Sequence, residues 1–217
     1  MLKNYMEDNL IDLSLLLTEG INVTVKEPFT DPEVNLAHIL RTIRSKIPKS
    51  ILEKIDVIYV GDFDFVERAV YQDNAIYLSN NIVNEKEIIS NIVHEIGAQV
   101  EEEFSEYLYG DDKLCNEFKE KRLQFYELLN KEEISASEED FLNIEESESF
   151  EKFLFEEVGY SELKRLTSDI FYSPYSISWV EEYIKSGFAA YILGDKKSLK
   201  ALCPVLYNKI YNIIKRA

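Results

Sequence analysis

The apolar residues of this chain change their period near residue 84, and that change limits the folds open to it. Before it, short runs alternate or cluster as strands do, over 21–25 (Ile-Asn-Val-Thr-Val), 55–60, 68–72 and 75–79. Asp73-Asn74, between the last two runs, reads as a hairpin turn. After it, apolar positions recur every three to four residues, first along a helix predicted over 85–106 through Ile89, Ile92, Val93, Ile96, Val100 and Phe104. Further helices are predicted over 112–130, 148–157, 161–171, 176–193 and 204–215. The first part also holds two helical patterns. One covers 1–18 and is ended by Gly20; the other starts at Thr30-Asp31-Pro32, turns Val34, Leu36, Ala37, Ile39, Leu40 and Ile43 to the core, and stops near Pro48. His38 lies on the second with no partner motif nearby and reads as a structural or surface residue. The expected class is α+β: a mixed α/β lobe over about 1–84, then a helical lobe over 85–217 that opens with the 85–106 helix. The acidic, serine-containing stretch 131–149 is the expected mobile excursion.

At 217 residues the chain is long enough for one domain with a full core, or for one built as two lobes around a cleft, and a single unit is expected. Hydrophobic residues make up 46%, and 7 Gly with 5 Pro leave little room for linkers or low-complexity segments. With 24 basic against 41 acidic side chains the formal charge is -17, a field that repels phosphate backbones and anionic lipid. Nucleic acid and membrane are therefore not expected partners. The acidity serves solubility, or forms a face for a basic protein. Cys115 and Cys203 stand far apart without a Cys-x-x-Cys pattern, so neither a disulfide framework nor a thiolate zinc site is indicated. The short apolar run 13–17 follows Glu7, Asp8 and Asp12 rather than a basic start, which argues against a signal peptide. No apolar run reaches the ~18 residues a bilayer span needs. The expected location is the cytoplasm.

Within the long helix stands His94-Glu95-Ile96-Gly97-Ala98. In a His-Glu-x-x-His helix, residues four apart share a face about 6 Å apart along the axis, so two imidazoles grip one zinc while the glutamate polarises its water. Here the first histidine and the glutamate are present, and Gly97 suits a point of close packing. Ala98 stands where the second histidine would, and a methyl group cannot ligate metal. Neighbours do not replace it. Glu101 is about 10.5 Å along the axis from His94, too far to share a metal at bond lengths of about 2 Å. Gln99 points about 140° away around the helix. A donation from His38 would have to come from the first lobe. Alone, a His-Glu pair on a helix is most often a surface pair.

A second set of residues changes its weight. Ser173-Pro174-Tyr175 precedes Glu181-Glu182-Tyr183-Ile184-Lys185-Ser186-Gly187-Phe188, with Tyr175 seven residues before Glu182. This resembles the downstream element of glutamate zincins (gluzincins) of the anthrax lethal factor-like group. There a helix presents Glu as third zinc ligand within Glu-Tyr-Phe-Ala-x-Gly-Phe, and a tyrosine seven residues earlier stabilises the oxyanion. Ile184 and Lys185 depart from that Phe-Ala. The chain is more closely similar to a set of metallopeptidase-like proteins encoded by tailed bacteriophages. The similarity runs through Ala75-Ile76-Tyr77-Leu78-Ser79, Val93-His94-Glu95-Ile96, Val100-Glu101-Glu102, Ser173-Pro174-Tyr175, Glu182-Tyr183 and Pro204-Val205-Leu206-Tyr207, from about Asp56 onward.

The resemblance implies a zincin-like metallopeptidase fold in which His94 is a first zinc ligand, Glu182 the third, Glu95 the general base and Tyr175 the oxyanion donor, with Glu181 facing solvent. Zn2+ is the cofactor it implies, held weakly or not at all by this chain because Ala98 replaces a ligand. The implied function is a phage-type zinc metallopeptidase impaired as written. Two histories fit: a natural pseudoenzyme kept for binding or assembly, or a deliberate replacement of histidine at position 98. The alternative function is a non-catalytic virion or accessory protein that binds through a cleft near Tyr175 and Trp179. Either implies a peptide or protein as substrate or partner, phage structural proteins included, and a place in the host cytoplasm or on the virion.

Overall fold

Four strands make one sheet in the computed structural model, which describes residues 21–82 and 84–217; the helix expected over 1–18 lies outside the described residues. Strands β1 (Asn22–Val25), β2 (Val57–Gly61), β3 (Ala69–Gln72) and β4 (Ala75–Ser79) stand in the order β1-β2-β4-β3. The first pairs, β1 with β2 and β2 with β4, are parallel, and β3 runs antiparallel to β4 at the edge. The β3–β4 turn is the expected one. Asp73 and Asn74 have φ of 51° and 58°, the left-handed pair that matches strand twist and that short polar side chains tolerate. Ile58, Val60, Ile76 and Leu78 turn to one face and are at most 1% exposed. Alternation puts Tyr59 and Tyr77 on the other face, with ring centroids 5.3 Å apart.

Helix α1 (Leu36–Arg44) starts later than its sequence predicts. Asp31 uses its carboxylate locally, accepting from the Glu33 N–H at 2.9 Å, and leaves Asn35 to cap the helix by accepting from His38 N–H at 3.0 Å. The helix buries Ala37, Ile39, Leu40 and Ile43, and the short α2 (Lys49–Leu52) follows. Helix α3 (Glu85–Glu103) carries the motif and buries Ile88, Ile92, Val93 and Ile96 completely. His38 is a surface residue whose Nδ1 lies 2.9 Å from Glu85 Oε2. Glu85 also accepts from Asn35 N–H at 2.8 Å, so one carboxylate joins the starts of α1 and α3. The two hydrogen bonds hold its pKa below the ordinary carboxylate value.

The described chain is α+β and divides into two compact units. One holds the described residues up to Val100 with Arg216 and Ala217; the other is Glu101–Lys215. The division falls inside the motif helix rather than at residue 84.

The second unit is helical: α4 (Ser105–Tyr109), α5 (Lys113–Lys131), α6 (Glu138–Leu142), α7 (Glu148–Lys152), a π-helical segment (Phe153–Gly159), α8 (Tyr160–Thr167), a 3-10 turn (Pro174–Ile177), α9 (Val180–Leu193), α10 (Lys196–Leu202) and α11 (Pro204–Arg216). Phe118, Phe125, Phe141, Phe171, Tyr183 and Phe188 fill its core. Three buried charges on α5, Glu117, Lys121 and Arg122, serve backbone groups, most of them at element ends. Glu117 accepts from Tyr183 O–H at 2.8 Å and from the N–H groups of Val205 at 2.7 Å and Leu206 at 3.0 Å, placing an anion at the start of α11. Lys121 donates to the carbonyls of Ile170 at 2.8 Å and Leu202 at 2.5 Å.

Arg122 explains why 131–149 is not the excursion its composition suggests. Its guanidinium donates to the carbonyls of Asn143 at 2.5 Å, Asp140 at 2.7 Å and Ser178 at 3.3 Å, and lies 4.0 Å from the Phe150 ring centroid. Phe141, within the same stretch, is fully buried. The stretch is anchored by one cation and one ring, which outweigh the polar residues around them.

Candidate functional site

His94, Glu95 and Ala98 belong to the first unit, Tyr175 and Glu182 to the second. His94 is about a quarter exposed, and its Nδ1 lies 3.1 Å from Glu95 Oε1. Glu95 is 5% exposed, and its Oε2 accepts the Tyr71 N–H at 3.0 Å. The ladder explains that bond. With Gln72 opposite Ala75 across a two-residue turn, Tyr71 falls at a position whose N–H points away from β4. A buried donor left there would lose its water without a replacement, at a cost of about 1–3 kcal/mol; the Glu95 carboxylate supplies the acceptor.

Ala98, one turn beyond His94, is 7% exposed, and its methyl side chain carries no lone pair. Residues 94, 95 and 98 thus offer one imidazole and one carboxylate, not the pair of imidazoles that the zinc motif requires. They do not complete a three-ligand zinc site. Among the described residues, no three His, Cys, Asp or Glu side chains are grouped to hold a metal ion. Gln99 is buried, at 3% exposure.

In the second unit the helix expected over 176–193 begins at Val180, so Glu182 stands on it while Tyr175 belongs to a separate 3-10 turn. Ser173 caps a 3-10 turn by accepting from Tyr175 N–H at 3.3 Å, and Pro174 favours its first position. Trp179 is extended at φ -154°, and α9 begins only at Val180, whose N–H donates to the Ile144 carbonyl at 3.0 Å. Tyr175 is 48% exposed, with its ring 5.7 Å from both Phe155 and Tyr160. Glu182 is 9% exposed, and its Oε1 accepts from Ser186 O–H one turn on, at 2.9 Å.

Glu181 does not simply face solvent. It is half-buried and helps to line a cavity of about 450 Å³ with Glu101, Tyr109, Glu145, Glu146 and Trp179. Burial, and then the hydrogen bond with Glu101, hold the Tyr109 phenol well above its ordinary pKa. Sequence reasoning weighed Glu101 only as a substitute metal ligand. Its position eight residues before Tyr109 gave no sign of that partnership, which depends on the break between α3 and α4.

No helix among the described residues is long and apolar enough to cross a membrane. No family model, curated protein or solved structure matches the chain.

Proposed function

We propose that this chain is a zinc metallopeptidase-like protein of the gluzincin type, impaired in catalysis by the alanine at position 98. The observation that carries the reading is the His94–Glu95 pair, a buried carboxylate beside an imidazole in the middle of a helix that packs with a mixed sheet. In this reading His94 and Glu182 remain as metal ligands, Glu95 is the base and Tyr175 the oxyanion donor. Two protein ligands hold zinc much less firmly than three, so zinc binding is weak or absent. The substrate or partner is a peptide or protein, with phage structural proteins as candidates, in the host cytoplasm or on the virion.

The Ala98→His variant tests the proposal. After equilibration with zinc and removal of excess metal, it is expected to retain about one zinc per chain and to hydrolyse an unfolded protein such as casein. Adding Glu95→Gln should abolish hydrolysis while leaving the metal bound. A variant that folds, binds no zinc and cleaves nothing would remove the peptidase lineage.

One observation favours a second reading, a non-catalytic binding protein on the same scaffold. Glu95 already accepts the Tyr71 N–H of β3, a structural task that keeps a glutamate in place without catalysis. On that reading Glu95→Ala in the unmodified chain loosens residues 69–72 in hydrogen exchange, and the protein copurifies with virions whether or not metal is present.

A further inference from the structure

Charge is segregated along the second unit. Residues 101–182 carry 24 Asp and Glu against 8 Lys and Arg, whereas residues 183–215 carry only Asp195 against Lys185, Lys196, Lys197, Lys200, Lys209 and Lys215. Part of that basic stretch forms one ordered surface on α9, α10 and α11. Tyr191, Tyr207 and Tyr211 make a row with centroid spacings of 5.6 and 6.3 Å. A lysine head sits over each ring: Lys196 at 4.1 Å from Tyr191, Lys200 at 5.6 Å from Tyr207 and Lys215 at 6.0 Å from Tyr211. Lys196, Lys200 and Lys215 are exposed, and Tyr211 is 41% exposed. Among the described residues none of these three ammonium groups pairs with a carboxylate. Seating on the rings limits the rotamers of the lysines, so an incoming anion orders less side chain.

The same chain carries a surface of opposite sign with the same anatomy. Over residues 138–148, Glu138, Glu139, Glu145, Glu146 and Glu148 are exposed around Leu142, itself 44% exposed. Arg122 and the buried Phe141 hold this segment in place from beneath. We propose that the lysine–tyrosine face of one copy docks on the acidic 138–148 segment of a second copy. Lysines meet glutamates, and Tyr211 meets Leu142. The two patches are different surfaces of one chain, so the contact is head-to-tail and joins copies into a ring or an open chain.

Nucleic acid is the other polyanion such a face could meet, and the geometry disfavours it. Bases stack on open aromatic faces, whereas here lysine heads and neighbouring rings cover the tyrosine faces. The overall charge of -17 opposes association of copies at long range. That repulsion is screened beyond the Debye length of about 8 Å at roughly 0.15 M salt, while pairs in contact persist.

Sedimentation velocity on the full chain tests the proposal. At about 0.15 M salt the mean sedimentation coefficient is expected to rise with concentration, and at about 1 M, where screening reaches ~3 Å, the rise should vanish. K196E/K200E and E145K/E146K change exposed residues, and far-UV circular dichroism checks that both remain folded. Each should weaken self-association by about tenfold, as expected from turning roughly two exposed attractive pairs into repulsive ones. An equimolar mixture of the two variants should associate again, because each reversed face then meets a reversed partner. A monomer at every concentration, association indifferent to either double variant, or a mixture that stays monomeric would overturn the proposal. So would a single-stranded oligonucleotide that binds the parent and is lost on K196E/K200E.

Discussion

Replacing Arg122 by methionine isolates what its charge contributes to the second unit. The guanidinium makes two short hydrogen bonds to carbonyls, at 2.5 and 2.7 Å, and a third at 3.3 Å. Bonds from a charged donor contribute about 1.5–3 kcal/mol each, so the two short ones supply roughly 3–6 kcal/mol. Burial opposes them. It lowers the Arg122 pKa from 12.5 to about 10, and at ~1.4 kcal/mol per unit the penalty on the charged form is roughly 3 kcal/mol. Methionine puts an unbranched apolar chain in the space beside Phe118, Phe141 and Phe150 while removing both effects, so R122M should cost roughly 0–3 kcal/mol, about 1.5 at the middle of the range. Alanine also empties the space the stem fills, and R122A should cost about 4–5 kcal/mol. Urea titration followed by the emission of Trp179, the single tryptophan, reads the loss beside the Ser178 carbonyl that Arg122 holds. Hydrogen exchange over 138–144 should accelerate in both variants. An R122M protein more stable than its parent would refute the reasoning, because desolvation would then outweigh the hydrogen bonds.

Other perturbations test other joints. A Cβ at Gly187 would stand 2.3 Å from Leu206 Cδ2 and 2.9 Å from its Cγ, with Leu206 fully buried. Overpacking of about 1–3 kcal/mol exceeds the ~1 kcal/mol helix preference of alanine, so G187A should lower stability in chemical denaturation. Glu151 has a raised pKa, from burial first and then from the charges of Glu146, Glu182 and Glu148. Its ionisation therefore opposes folding once pH rises above the unfolded carboxylate pKa of about 4.3. E151Q should melt higher than its parent at pH ~8, and the gain should disappear near pH ~4; an equal gain at both would exclude ionisation as the cause. Asp111 has its pKa lowered to about 2, chiefly by the hydrogen bond from Lys209. Its stabilisation is present above the unfolded value of about 3.9 and is lost as pH falls toward 2. The deficit of D111N relative to the parent should be constant above pH ~5 and absent near pH 2, read from denaturation midpoints.

Position by position, the legible features are those whose cause is local. The Asp73-Asn74 turn follows from two residues that tolerate positive φ, and the motif helix from the spacing of Ile92, Val93, Ile96 and Val100. The errors arose where a residue had two possible local tasks or a distant partner. Asp31 could cap a helix or close a turn, and its bond to the Glu33 N–H decided for the turn. The polar stretch 131–149 has no composition that demands order; Arg122, on the preceding helix, orders it. The helix expected to begin right after Tyr175 starts at Val180 instead, because Ser173 and Pro174 favour a tight turn.

For the candidate site, sequence alone identifies His94 and Glu95 on a helix and the absence of a donor at residue 98, since helical spacing and side-chain chemistry need no other part of the chain. It does not reveal that the Glu95 carboxylate accepts the N–H of Tyr71, 24 residues upstream. That bond exists because strand pairing turns the N–H away from β4 and folding brings a buried carboxylate to it. Glu117 at the start of α11, 88 residues on, is a choice of the same kind. Period, turn chemistry and the lack of a ligating atom are properties of neighbouring residues, whereas the pairing of buried polar groups depends on which segments exclude water from one another.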